Sequence, residues 1–442
     1  MTNGRRFFCI PGLFLRRALL ILTVLGLLMA GPAQAQTRVI LQVSGGLPLA
    51  QTVCRLLGCQ VQYGLGDDSG QLYLVTSPLP LNLQLALFIP GVLDAEVDVA
   101  GKTDNATVAT APPALYDSTP VNYYGTTVRE GYLNQPASQI VGVLNTQSTY
   151  GVHGSGIVAI IDTGVDTTHP VLQNVLLPGY DFTNNRSGAD EKGDVTQSTT
   201  AVIDQSTTAV VDQSTTAVID QNSASTLNQP QYEGFGHGTM VAGVVHLVAP
   251  TAYILPLKAF HVDGTGYASD VIRAINYAVH HNANILNMSF SFALPSNALK
   301  MTLNNATLRG VIAVAAAGNN GQQTLVYPAA YNNVMGVAST SNNDTLSTFS
   351  NYGPNLVWVG APGEGVVTLY PYGTYAATWG TSFSTPFVAG GAALLLNSHT
   401  ICTQSQAAWA LSHAKYISNE VGNGRLDLSQ AVAAWRATLG LP

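Results

Sequence analysis

Short apolar runs recur through the C-terminal two thirds of the chain: Ile157 to Ile161, Ile254 to Ala259, Ile285 to Met288, Val311 to Ala315, Val334 to Val337 and Leu356 to Val359. They are too short for buried helices and show no polar alternation, which suits strands covered on both faces. Helical spacing lies between several of them, as in Ala268 to His281. Further helices are expected over His237 to Leu247 and Ser382 to Leu396. The alternation predicts an α/β domain with a mainly parallel sheet and helices on both faces. In that architecture functional residues belong at strand ends and helix starts.

The N-terminal part follows a different pattern. Strand-like Val39 to Val43, a helix within Leu49 to Leu57, a hairpin of Gln60 to Tyr63 with Leu72 to Thr76, a helix near Leu81 to Ile89 and a last strand over Val92 to Val99 make a compact α+β unit. Before it, Arg5, Arg6, Arg16 and Arg17 precede an apolar stretch from Ala18 to Ala30, and Ala33-Gln34-Ala35 offers small residues for cleavage. Residues 1–35 therefore read as a signal peptide. The apolar stretch is shorter than the ~20 residues a membrane-spanning helix needs. The expected division is 36–110 for the small α+β domain, 111–133 for a proline-bearing linker and 134–442 for the α/β domain. Within the last, residues 197–220 hold three tandem copies of Gln-Ser-Thr-Thr-Ala-Val-Ile/Val-Asp. So short and polar a repeat cannot bury a core of its own, so a mobile surface insertion is expected, with a small β-arm as the alternative.

Charge narrows the partners. Only 9% of residues are charged and the net charge is −7; loss of residues 1–35 removes four arginines and no acid, leaving −11. Such a chain offers no footprint for a phosphate backbone, which excludes nucleic acid. No later segment is apolar enough to span a membrane, so a secreted or periplasmic location is expected. Cys54 and Cys59 could pair on an export route, or simply flank a helix end as small apolar residues. Cys402 stands alone and is read as a packing residue.

The chemistry rests on three ordered segments. Asp162 ends an apolar run and precedes Thr163-Gly164; His237 opens His237-Gly238-Thr239-Met240-Val241-Ala242-Gly243; Ser382 lies in Gly380-Thr381-Ser382-Phe383-Ser384-Thr385-Pro386. A serine hydroxyl needs a base to become a nucleophile, and the histidine base needs a carboxylate to fix its tautomer. Asp, His and Ser in this order resemble the signature blocks of the subtilases, the subtilisin-like serine proteases. The resemblance covers 134–428 well and 38–100 loosely. It implies a serine endopeptidase with catalytic Asp162, His237 and Ser382. Ala315-Ala316-Ala317-Gly318-Asn319 matches the block that carries the family's oxyanion-hole asparagine, here Asn319. The α+β unit resembles in layout the family's inhibitory propeptide, which makes the chain a self-maturing zymogen with polypeptide substrates and its own propeptide as partners.

Family members bind an extended peptide between two edges. Gly264-Thr265-Gly266 resembles one edge. Ser289-Phe290-Ser291 stands at the other; where many relatives have a Leu-Gly-Gly run this chain has Phe290-Ser291-Phe292, so two glycines are replaced and side chains there would narrow the cleft. Ala316, Ala317 and Gly318 are expected to wall the pocket before the scissile bond, with a neutral preference. No cofactor and no metal is assigned. Calcium enters only through Asp181, Asn184, Asn185 and Asp190, an oxygen-rich loop whose alternative is plain solvation. His169 is expected to shape a loop, and His246, His280 and His281 to be surface or helix-end residues. Two rival functions stand beside this one: a dedicated processing protease with few substrates, and a non-catalytic binding module with the N-terminal unit permanently attached.

Overall fold

The computed structural model describes residues 36–103, 111–194 and 232–442, together with the backbone of 209–210 and 217–219. The expected signal peptide, 1–35, and most of the repeat lie outside the described residues.

The N-terminal unit is β1 (Thr37–Val43), α1 (Gly46–Leu57), β2 (Gln60–Gly64), β3 (Leu72–Ser77), α2 (Leu83–Ala86) and β4 (Val92–Val97). Its sheet runs β2-β3-β1-β4, with β1 antiparallel to both β3 and β4. Val39, Leu41, Val43 and Val53 build a small core of their own. Cys54 and Cys59 form a disulfide across the C-terminus of α1, where Gly58 takes the left-handed conformation. After β4 the chain continues into β5 (Ala100–Thr103), beyond the last strand expected from the pattern.

Residues 111–133 are not a linker. They form the hairpin β6 (Pro120–Tyr123) and β7 (Thr126–Arg129) and the short helix α3 (Glu130–Leu133). Prolines give the segment a linker's composition, yet Leu115, Tyr123, Val128 and Tyr132 are buried in the large core. Tyr132 donates its hydroxyl to the Gly243 carbonyl at 2.7 Å, and Tyr123 donates to that of Leu247, also at 2.7 Å.

The large sheet follows α4 (Pro136–Val141) and α5 (Val143–Tyr150). Its strands are β8 (Ile157–Asp162), β9 (Tyr180–Asp181), β10 (Arg186–Ser187), β13 (Tyr253–Lys258), β15 (Ile285–Met288), β17 (Ile312–Ala316), β18 (Met335–Thr340) and β19 (Val359–Pro362). In space they run β10-β9-β13-β8-β15-β17-β18-β19, parallel except for β10. Side chains alternate between two cores: Val158, Ile160, Ile312 and Val314 face one, Ala159, Ile161, Ala313 and Ala315 the other. The first core packs on α6 (His237–Val248) and α9 (Thr381–Ser398), the second on α7 (Ala268–His280) and α8 (Asn297–Leu308). The apolar runs of the sequence are thus strands covered on both faces. Helix α6 runs uninterrupted to Val248.

Of the repeat, Ala209–Val210 (β11) pairs antiparallel with Ala217–Ile219 (β12), and β12 adds to β21 (Thr374–Trp379), itself paired with β20 (Glu364–Tyr370). These five residues take the β-arm form rather than that of an unstructured insertion. Strands β14 (Thr265–Tyr267) and β16 (Phe290–Ser291) complete the fold and flank β5.

Two carboxylates fasten the N-terminal unit to the large domain. Glu96 accepts from Ser296 Oγ at 2.5 Å and from the Asn297 and Ala298 amides at 2.8 and 3.2 Å, at the start of α8. Asp98 accepts from the Ser269 amide and hydroxyl at 2.9 and 2.8 Å, at the start of α7, and from Arg38 at 2.8 Å. Helix N-termini present unpaired amides and a partial positive charge, so each carboxylate meets two favourable terms. Asp98→Ala would leave Arg38 and the Ser269 amide without their shared acceptor, at a cost of about 1–3 kcal/mol. Backbone amide exchange in β5 and at Ser269 should then quicken roughly 5- to 100-fold, read by hydrogen exchange on the full-length chain. Unchanged protection would show that Asp98 does not hold the unit in place.

Candidate active site

Asp162 is the last residue of β8, His237 the first of α6, and Ser382 the second of α9. The sheet brings the strand end and both helix starts to one edge. His237 Nδ1 lies 2.7 Å from Asp162 Oδ1, both side chains being buried. The Thr163 amide also donates to Oδ1, at 2.7 Å. A Cβ added to Gly238 would stand 1.8 Å from the Gly164 carbonyl oxygen, so glycine is what allows α6 to start against the end of β8. His237 Nε2 is buried and has no hydrogen-bond partner among the described residues. The Phe383 ring packs 5.3 Å from the imidazole, so the start of α9 lies directly beside it.

Ser382 and Ser289 exchange two hydrogen bonds. Ser382 Oγ donates to the Ser289 carbonyl at 2.9 Å, and Ser289 Oγ donates to the Ser382 carbonyl at 2.8 Å. The second has a covalent cause. Pro386 has no N–H with which to bond the carbonyl four residues earlier, so the Ser382 carbonyl takes an external donor. Asn319 is fixed by its acceptor end: Oδ1 receives the Thr381 amide and hydroxyl, both at 2.9 Å. Its Nδ2 is buried and unpartnered among the described residues, a donor left in place beside Ser382.

The residues expected at the substrate edges are also gathered here. Gly264 precedes β14 at a positive φ, and its carbonyl accepts the Thr103 amide at 2.9 Å. Thr265 and Gly266 pair with Lys102 and Gly101; Phe290 and Ser291 pair with Thr103 and Lys102. Strand β5 therefore occupies the gap between β14 and β16 as the middle strand of an antiparallel sheet. Ala316, Ala317 and Gly318 are buried at and after the end of β17, and the Gly318 amide donates to the Thr381 hydroxyl oxygen at 3.2 Å.

Behind the Asp162–His237 pair lies a polar cluster that the motifs do not announce. Glu191 is buried and accepts from the Gly236 amide at 2.9 Å, the Thr163 hydroxyl at 3.2 Å, the Thr239 amide at 3.3 Å and the Thr239 hydroxyl. It thereby ties the start of α6 to the turn after Asp162. Lys258, also buried, reaches the Thr163 and Phe260 carbonyls at 2.7 and 2.8 Å and Asp194 at 2.7 Å. Glu191 and Lys258 lie outside the signature blocks; no pattern marks Glu191, whereas Lys258 sits in the apolar run Ile254 to Ala259, which foretold its burial but not its partners.

Other expectations resolve as follows. His169 is buried, with Nε2 3.4 Å from the Thr374 carbonyl, and burial lowers its pKa. His246 lies in the last turn of α6 as a helix-end residue but not at the surface: it is buried beside Tyr132, 3.2 Å from its hydroxyl, and burial drives it down to about 3. His280 meets Asp68 at 2.7 Å and His281 stacks on Tyr277, both exposed. Cys402 is buried and its thiol is pushed up to about 12, the state of a packing residue. The Asp181 oxygens are taken by Thr183, Asn184 and Arg186, and Asn185 Oδ1 by Tyr180 and Arg273. Asp190 accepts the Lys192 amide. Among the described residues no group of three acidic, histidine or cysteine side chains is arranged to hold a metal ion.

Burial pushes the Glu191 carboxyl from about 4.5 up to about 8, against the pull of the Thr239 hydroxyl and Lys258. The folded state thus holds this proton more tightly than the unfolded chain. That stabilisation is complete below pH 4.5 and is lost as pH rises through about 8. Thermal unfolding between pH 5 and 9 should show a steeper fall in Tm for the wild type than for Glu191→Gln, which cannot ionise. Parallel profiles would refute the assignment.

Comparison with known proteins agrees with the geometry. Residues 154–430 match the family described as Peptidase_S8, the subtilase family. The chain is 37% identical over 215 residues to Subtilisin BL of Lederbergia lenta, a match covering 47% of this chain and 78% of that protein. It is 34% identical over 266 residues to Thermitase of Thermoactinomyces vulgaris, covering 58% of this chain and 80% of the relative. Fervidolysin from Fervidobacterium pennivorans, whose crystal structure is described as that of a keratinolytic enzyme related to subtilisin, shares the fold. The TM-score is 0.68 at 20% identity, over 90% of this chain and 61% of that one. With its parallel sheet and the matched span across all three signature blocks, the chain belongs to the subtilase family and is a subtilisin-like serine endopeptidase.

Proposed function

We propose that this chain is a secreted, self-maturing zymogen that hydrolyses peptide bonds through an acyl-enzyme on Ser382. His237 takes the Ser382 proton and later delivers it to the leaving amine. Asp162 fixes the tautomer with the proton on Nδ1 and stabilises the imidazolium. Asn319 Nδ2 and the Ser382 amide donate to the oxyanion. The observation that carries the reading is the buried Asp162–His237 contact at 2.7 Å, with Nε2 unpartnered among the described residues and the ring beside the start of α9. In this structure the Ser382 hydroxyl donates to the Ser289 carbonyl, so delivery of its proton to His237 requires that it turn from that acceptor.

The N-terminal unit, 36–110, acts as the inhibitor. In support, β5 fills the gap where an extended substrate would add as a strand, and Glu96 and Asp98 dock the unit on two helix starts. Maturation separates this unit from the large domain; in support, β5 ends with Thr103 paired to Phe290, next to the Ser289 that bonds Ser382. The large domain takes 111–442, since the hairpin after residue 111 belongs to its core. Export through residues 1–35 delivers the enzyme to a periplasm or to the outside.

Intact-mass analysis before and after a fluorophosphonate probe tests the reading. The expected result is one adduct on Ser382 and loss of the N-terminal unit in the wild type, with neither in Ser382→Ala. No adduct on a chain that stays whole would favour a silent binding module instead. Asn319→Ala should lower kcat by about 10²- to 10³-fold with a much smaller change in KM, because the donor acts on charge that develops only in the transition state. A drop confined to KM would remove Asn319 from the oxyanion hole.

A further inference from the structure

The strand in the cleft carries glycine at one position, and the surroundings explain why. β5 runs antiparallel to β16, with Thr103 opposite Phe290 and Lys102 opposite Ser291. Continued by one residue, that register sets Gly101 against Phe292, and on the other side Gly101 pairs with Gly266. Opposed residues of an antiparallel pair project to the same face. A Cβ built on Gly101 would lie 2.5 Å from Phe292 Cδ1 and Cε1 and 2.8 Å from the Ser291 carbonyl oxygen. One built on Gly266 would lie 2.6 Å from Phe260 Cδ1. Phe260, Phe290 and Phe292 form a continuous aromatic wall on that face, with centroids 4.6 and 5.7 Å apart.

The wall cannot yield cheaply. Phe292 is 1% exposed with β5 in place, and its backbone is held independently of β5 by two hydrogen bonds to Tyr327, at 2.7 and 2.9 Å. The second obstacle, the Ser291 carbonyl, is backbone in a paired strand. The next residue, Lys102, projects to the opposite face and reaches Glu233 at 2.7 Å with half its side chain exposed. Tolerance and restriction therefore alternate along the strand.

We propose that Phe292 makes this protease selective for glycine at one position on the acyl side of its substrates, the position that Gly101 occupies in the cleft. The inference rests on the reading above that the cleft binds an extended peptide whose chain runs toward Ser382. A side chain there would have to displace a buried ring and a strand carbonyl, the situation of an overpacked core. Substrates with Ala or a larger residue at this position should lose roughly 5- to 100-fold in kcat/KM.

The test is digestion of a proteome-derived peptide mixture by the matured enzyme and by its Phe292→Gly variant, with cut sites mapped by mass spectrometry. The expected wild-type profile has one position upstream of the cut dominated by glycine, and that preference disappears in Phe292→Gly. Upstream profiles without glycine enrichment in the wild type would overturn the inference, whether or not the variant folds. A glycine preference that survives in Phe292→Gly would overturn the assignment to Phe292. No cleavage of any peptide would instead sink the protease reading, and this inference with it.

Discussion

The contact between Asp162 and His237 constrains the whole arrangement, because it demands that a strand end and a helix start meet at hydrogen-bond distance inside the protein. Such an approach leaves no room for side chains at the junction, which is the reason for Gly238 against the Gly164 carbonyl. It also creates a supply of unpaired backbone groups at the end of β8 and the beginning of α6. Glu191 and Lys258 take up much of that supply, the first accepting from Gly236 and Thr239, the second donating to Thr163 and Phe260. Those bonds hold the turn after Asp162 and the start of α6 in one place.

A second constraint comes from the other helix. Proline in α9 leaves the Ser382 carbonyl without its helical partner, and Ser289 supplies the missing donor. The same Ser289 begins the edge against which β5 pairs. The covalent limitation of one residue thus fixes the distance between the cleft's edge and the start of the helix. Asn319, held through Thr381 of that helix, is registered to the same point. Three groups with separate sequence origins therefore share one local frame.

Strand β5 brings Gly101 against Phe292 and Lys102 toward Glu233, so its two faces meet different surroundings, one closed and one open to solvent. The N-terminal unit stays seated through Glu96 and Asp98, which cap two different helices rather than making exposed ion pairs. Caps of this kind draw on fixed helix dipoles, so docking places both helix starts and the strand at once.

Much of this was legible in the residues alone. Apolar runs of strand length with helical spacing between them can be buried in few ways, so the parallel sheet followed from local pattern. Asp162, His237 and Ser382 sit in blocks that resemble those of the subtilases, and the fold sets them at a strand end and two helix starts, as the α/β pattern led one to expect. What tertiary structure alone decided has one common cause: contacts between segments distant in sequence leave no local signal. Glu191 looks like an ordinary surface charge until the fold buries it, and the partners of Lys258, set within an apolar run, come from segments far along the chain. Residues 111–133 look like a linker because proline composition says nothing about which aromatic rings find a core. Phe292 stands out in sequence only as a lost glycine. Its consequence emerges when pairing sets it opposite Gly101, since a strand's neighbours are chosen by the fold and not by the strand.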